Sequence, residues 1–180
     1  MLIKPEDSSL IVIDMQDRLV PAMQAPARTI KNAGILVTAA RRLDVPVLVT
    51  EQYSKGLGGT VPDVAKLADG VPVLEKMHFS CMKDPDFAEK FYNLDRKQAV
   101  IAGMEAHICV LQTAVNLMEE GFHVFVVTDA TSSRTPESEK ACLDRLSAAG
   151  AGIVTTEMVV FEWLGQAGTP EFRELLPLVK

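Results

Sequence analysis

Short apolar runs rich in β-branched residues alternate with longer helical stretches along most of this chain, and that alternation leaves few folds open. Leu10-Ile11-Val12-Ile13 comes first, a helical stretch from Pro26 to Leu43 follows, and Val45 to Val49 is the second strand run. Further runs stand at Val71 to Leu74, Ala99 to Ala102, Val124 to Val127 and Ile153 to Thr155, with helical patterns at Asp86 to Tyr92, Ile108 to Glu120 and Pro136 to Ala149. The strand runs are apolar on both faces, which suits a sheet covered by helices on each side. The expected fold is therefore α/β: a doubly wound parallel sheet of six strands in three layers, forming one domain over residues 1–180. Gly121 and Gly150 fall where two helices should stop, at positions suited to a left-handed cap.

Composition bounds the partners. With 180 residues, 48% of them apolar, the chain can bury a sizeable core. A net charge of -6 gives the wrong sign for attraction to nucleic acid or anionic lipid, so neither is expected as a partner. No apolar run approaches the roughly 20 residues that cross a bilayer, and Met1 to Ser9 lacks the pattern of a secretory signal. Cys81, Cys109 and Cys142 are odd in number and show no Cys-x-x-Cys spacing, which argues against a disulfide framework or a thiolate metal site. A cytoplasmic protein with reduced thiols is the expectation.

In open α/β sheets ligands bind beyond the carboxyl ends of the strands, so ionisable residues there matter most. Asp14 ends the first run, Lys76 follows the third, Asp129 follows the fifth, and Cys109 begins the helix after the fourth, which Gly103 breaks. Each has a structural alternative: Asp14 as a turn residue, Asp129 as part of a local network with Thr128, Thr131, Ser132 and Ser133, Lys76 as a solvated surface residue, Cys109 as a small buried hydrophobe. A thiol at a helix N-terminus is, however, a nucleophile's address, because the free amides and dipole lower its pKa and can hold an oxyanion. Asp14, Lys76 and Cys109 together supply an acid–base group, a cation and a thiol. His78, His107 and His123 show no metal-binding spacing, and the glycine-containing segment Glu51 to Pro62 is a candidate rim or lid, or a plain surface loop.

Taken in order, Ile11-Val12-Ile13-Asp14-Met15-Gln16, Glu75-Lys76 and Gly103-Met104-Glu105-Ala106-His107-Ile108-Cys109-Val110 resemble the isochorismatase-like cysteine hydrolases over nearly the whole chain. The Glu-Ala-His-x-Cys wording is most similar to the branch of isochorismatase domain-containing proteins. The resemblance implies a triad of Cys109 as nucleophile, Asp14 as general base and acid, and Lys76 as electrostatic partner. It implies a cis peptide between Met104 and Glu105, an oxyanion hole made by the amides of Glu105 and Cys109, and a substrate pocket that includes Leu19, Gln52 and Phe79. Two departures matter. Nicotinamidases of this family bind a metal through histidines after the second strand, whereas Thr50 to Pro62 contains none, so no metal and no cofactor is expected. Isochorismatases proper cleave a vinyl ether and typically lack the cysteine.

The reading that follows is a metal-independent cysteine hydrolase cleaving a C–N bond of a small-molecule amide through a thioester. The alternatives are an idle binding or scaffold protein on the same fold, and ether hydrolysis of the isochorismatase type. Family members are often oligomeric, and Met158 to Leu164 looks too apolar for a one-sided surface helix. A homo-oligomer, dimer or larger, is expected on those grounds, against the alternative that Trp163 packs under the tail from Pro170 to Lys180.

Overall fold

The computed structural model describes residues 1–180. Six strands form one parallel sheet in the order β3-β2-β1-β4-β5-β6. Their ranges are β1 Ser8–Ile13, β2 Val47–Gln52, β3 Val73–Lys76, β4 Gln98–Met104, β5 His123–Ser132 and β6 Gly152–Val154. The helices are α1 Pro26–Arg42, the short α2 Ser54–Leu57 and α3 Pro62–Leu67, then α4 Pro85–Tyr92, α5 Leu111–Glu119, α6 Pro136–Ala148, α7 Thr156–Leu164 and α8 Pro170–Val179.

Side chains of successive strand residues point to opposite faces. Leu10 and Val12 accordingly join a core built with α1, α3, α7 and α8, while Ile11 and Ile13 join one built with α4, α5 and α6. Both faces are apolar because both are covered, which is why the strand runs read as continuous rather than alternating. Helices close on both sides of the sheet, the doubly wound arrangement expected from the alternation.

Several boundaries differ from the sequence reading. β2 and β3 begin and end two or three residues later than their apolar runs, so that Lys76 ends β3 instead of following it. Gly103 does not break β4; the strand runs through it to Met104. β5 extends to Ser132, and its pairing with β4 jumps from Ile101–Val126 to Gly103–Thr131, so Asp129 lies in a bulged excursion inside the strand. The tail beyond Pro170 is a helix, its amphipathic face anchored by buried Leu175.

Trp163 is 3% exposed and its indole N–H donates to Ser8 Oγ at 3.1 Å. The apolar surplus of α7 is thus partly spent inside the chain, leaving Met158 and Phe161 as its exposed large residues. Of the apolar segment Met158 to Leu164, Trp163 is therefore taken up by β1 and is not free for an interface.

Candidate active site

The order β3-β2-β1-β4-β5-β6 reverses direction of winding between β1 and β4, and the crevice at such a switch point is where an open α/β sheet places ligands. Close approach of these two strands is a glycine matter. A Cβ built on Gly103 would sit 2.1 Å from the Ile13 carbonyl oxygen, and φ there is +120°. Only glycine permits that backbone, and the residue after Ile13 is Asp14. Its own φ of +50° is a left-handed conformation that costs a side-chain-bearing residue about 1 kcal/mol or more.

Asp14 and Lys76 form an ion pair at 2.7 Å with both side chains 0% exposed. The second carboxylate oxygen of Asp14 accepts a hydrogen bond from Thr50 Oγ1 at 2.7 Å. Lys76 Nζ also donates to Gln52 Oε1 at 2.7 Å, lies 3.2 Å from the carbonyl oxygens of His78 and Phe79, and is 3.6 Å from Cys109 Sγ. The three groups named at separate strand ends therefore share one ammonium as their meeting point. A charge so fully desolvated persists only when paired and hydrogen-bonded, and Lys76 is both.

Cys109 sits on an irregular turn. Residues Ala106–Val110 are π-helical, with the Val110 amide reaching back to the Glu105 carbonyl, before α5 begins at Leu111. The wider turn adds a residue where a regular helix would have none, a feature that often marks functional sites. The peptide bond between Met104 and Glu105 is cis. Glu105 itself is buried, and its carboxylate is gripped by Arg134 through two bonds of 2.7 Å from Nε and Nη2. His107 Nδ1 lies 2.9 Å from Ser133 Oγ, an arrangement that ties it to the end of β5.

The electrostatics correct one expectation. A helix N-terminus should depress the Cys109 pKa, yet the thiol is raised well above its ordinary value: burial disfavours the thiolate most, the Asp14 charge adds to this, and Lys76 offsets only part. Burial also works against the Lys76 ammonium, but the Asp14 carboxylate paired with it offsets this and its pKa is raised. Cys81 is pushed up to about 12 by burial, although Lys76 lowers it in part. Burial likewise pushes Cys142 up to about 12.

Other candidates are placed as follows. Leu19 is buried in the segment after β1. Gln52 spends its amide on the site itself, accepting from Lys76 and donating to the Met77 carbonyl at 2.9 Å. Phe79 is 54% exposed, its carbonyl turned to Lys76. The segment Glu51 to Pro62 is pinned rather than loose: Gln16 Nε2 donates to the carbonyls of Gln52 and Gly58, Arg18 to Gly56, and Glu51 accepts from Thr60. Asp129 accepts from the amide and hydroxyl of Thr156 at the start of α7, away from the triad and outside the local network expected for it. No three His, Cys, Asp or Glu side chains come together as a metal cluster. Thr50 and the Glu105–Arg134 pair escaped the sequence reading. A hydroxyl directly after the apolar run of β2 was the available signal for Thr50; nothing in the spacing linked Glu105 to Arg134.

Comparison with known proteins places this arrangement. The model of the isochorismatase domain matches residues 8–158. The secreted isochorismatase effector Isc1 of Phytophthora sojae is 36% identical over 180 residues, covering 98% of this chain and 86% of the relative. Among solved structures, the MAR1 ribonuclease of Caenorhabditis elegans superposes with a TM-score of 0.93 at 35% identity, covering 99% of this chain and 92% of that one. The YcaC gene product of Escherichia coli, described as an octameric hydrolase of unknown specificity, gives a TM-score of 0.93 at 25% identity, with 99% and 90% coverage. With the domain model matched over residues 8–158 and a 36% identical relative covering 98% of its length, the chain belongs to the isochorismatase family.

Proposed function

We propose that the chain is a cysteine hydrolase that cleaves the C–N bond of a small amide through a thioester intermediate. The observation that carries this reading is the convergence of Asp14, Lys76 and Cys109, with the sulfur 3.6 Å from an ammonium that also holds the carboxylate. Cys109 Sγ attacks the amide carbonyl carbon as its proton passes to Asp14. Lys76, paired with Asp14 and 3.6 Å from the sulfur, balances the negative charge as the proton moves. The oxyanion accepts hydrogen bonds from the backbone amides of Glu105 and Cys109. As the tetrahedral intermediate collapses, the C–N bond breaks and Asp14 returns the proton to the leaving amine. Water then attacks the thioester, giving up a proton to Asp14, and the acid leaves as the thiol is restored.

No metal takes part in this scheme, and elemental analysis of protein purified without added metal should find no stoichiometric zinc, iron or manganese. A homo-oligomer is part of the proposal, supported by the octameric E. coli relative and by exposed Met158 and Phe161. Light scattering checks it, and a monomer would end it.

The deciding experiment is a panel of small primary and secondary amides given to the wild type and to Cys109→Ala, with hydroxylamine added to intercept the thioester as a hydroxamate. Turnover by wild type alone, with hydroxamate formed, supports the reading. Turnover retained by Cys109→Ala removes it. A synthetic RNA oligomer in the same panel tests the activity carried in the name of the C. elegans relative; its cleavage without amide turnover would replace the amidase reading.

A further inference from the structure

A second pocket lies against the back of the catalytic loop. It encloses about 520 Å³ between the segment after β3, one face of α5 and the last turns of α6, and Cys109 is not among its lining residues. Leu111 and Val115 give it an apolar floor. Above that floor stand Lys83, Arg145 and His78, and no Asp or Glu lines the pocket, although the chain as a whole carries a net charge of -6. His78 is already held by Asp84 at 3.2 Å, but neither Lys83 nor Arg145 forms an ion pair. The wall between them contains Ser80, 3% exposed, whose hydroxyl is the one buried side-chain polar atom of the chain without a hydrogen-bond partner.

We infer that this pocket is a binding site for a small organic anion, a carboxylate or phosphate monoester with an apolar body. The anionic end meets Lys83 and Arg145, and the apolar body covers Leu111 and Val115. Apolar lining with a few convergent polar groups is the usual make-up of a small-molecule site. The inference does not depend on the amidase reading, since none of these residues belongs to the triad. It does have a route to the triad: the carbonyls of His78 and Phe79, whose side chains line the pocket, face Lys76 Nζ at 3.2 Å.

Benzoate is the probe, with benzyl alcohol as its uncharged counterpart and inorganic phosphate as an anion without an apolar body. Titration of the full chain, followed by amide chemical shifts, should show saturable benzoate binding with the largest shifts at Ser80, Leu111 and Val115. Benzyl alcohol and phosphate should each bind about ten-fold more weakly or worse, because each lacks one half of the recognition. The double variant Lys83→Gln with Arg145→Gln should weaken benzoate about ten-fold, as expected for two exposed charge contacts. Both side chains are exposed, and a retained native spectrum verifies the variant's fold. Equal binding of benzoate and benzyl alcohol, largest shifts at Asp14 and Cys109, unchanged benzoate affinity in the double variant, or no saturable binding would each overturn the site.

Discussion

Two aspartates of this chain stand at comparable places in the sequence, each following an apolar strand run, and they have opposite fates. Asp14, after β1, is fully buried, left-handed, and bonded to Thr50 and Lys76 within reach of a thiol. Asp129, in the bulge of β5, turns to the first residue of α7 and satisfies its amide and hydroxyl. The difference lies in their neighbours. β1 is central and borders the switch point, so residues from β2, β3 and the turn after β4 crowd its end; beyond β5 only the three-residue β6 remains. An Asp meets a buried cation where several strand ends converge and meets a helix start where they do not.

The largest effect should come from the backbone that sets up this contrast. Gly103→Ala would drive a methyl into the Ile13 carbonyl, and we expect a loss of roughly 4 kcal/mol or failure to fold, measured by urea unfolding. A cost below about 1 kcal/mol would show that β1 and β4 can part without consequence.

Removing the central carboxylate comes next. Asp14→Ala leaves the Lys76 ammonium buried without its counter-charge, at a cost of about 3 kcal/mol. Adding Lys76→Met to that variant should recover part of the loss; strict additivity would mean the two residues do not act as a pair.

Alkaline pH probes the same centre without mutation. Cys81, Cys109, Cys142 and Lys76 all have folded-state pKa values raised above their unfolded ones, so the native state holds protons that the unfolded chain releases. Their contribution is intact below about pH 9 and is lost as pH climbs toward the folded values, about 12 for Cys81 and Cys142. Urea midpoints measured from pH 8 to pH 11 should fall steadily as the pH rises. A flat profile would contradict the burial assigned to these thiols.

The smallest change belongs to the other aspartate. Asp129→Ala removes two hydrogen bonds at the start of α7 and should cost about 1 kcal/mol, while leaving the rate of Cys109 alkylation by iodoacetamide as it was. If alkylation changed as much as it does in Asp14→Ala, the two strand ends would be one coupled site and the contrast would dissolve.

The alternation of apolar runs and helices was enough to specify a doubly wound parallel sheet, because burial on both faces writes itself into consecutive residues of each strand. Motif residues made Asp14, Lys76 and Cys109 legible as candidates. Local composition did not carry the rest. Trp163 read as a spare apolar surface until β1 supplied Ser8 beside it, and Gly103 read as a strand breaker until Ile13 was seen 2.1 Å from where its Cβ would stand. The surroundings of the Cys109 thiol divide the same way: a helix terminus is a local feature, whereas burial and the Asp14 charge, both of which raise its pKa, arrive from strands distant in sequence. Periodicity and turn chemistry act between near neighbours and can be read along the chain. Desolvation, counter-charge and close backbone approach depend on which distant segments share a volume, and that was decided only when the sheet formed.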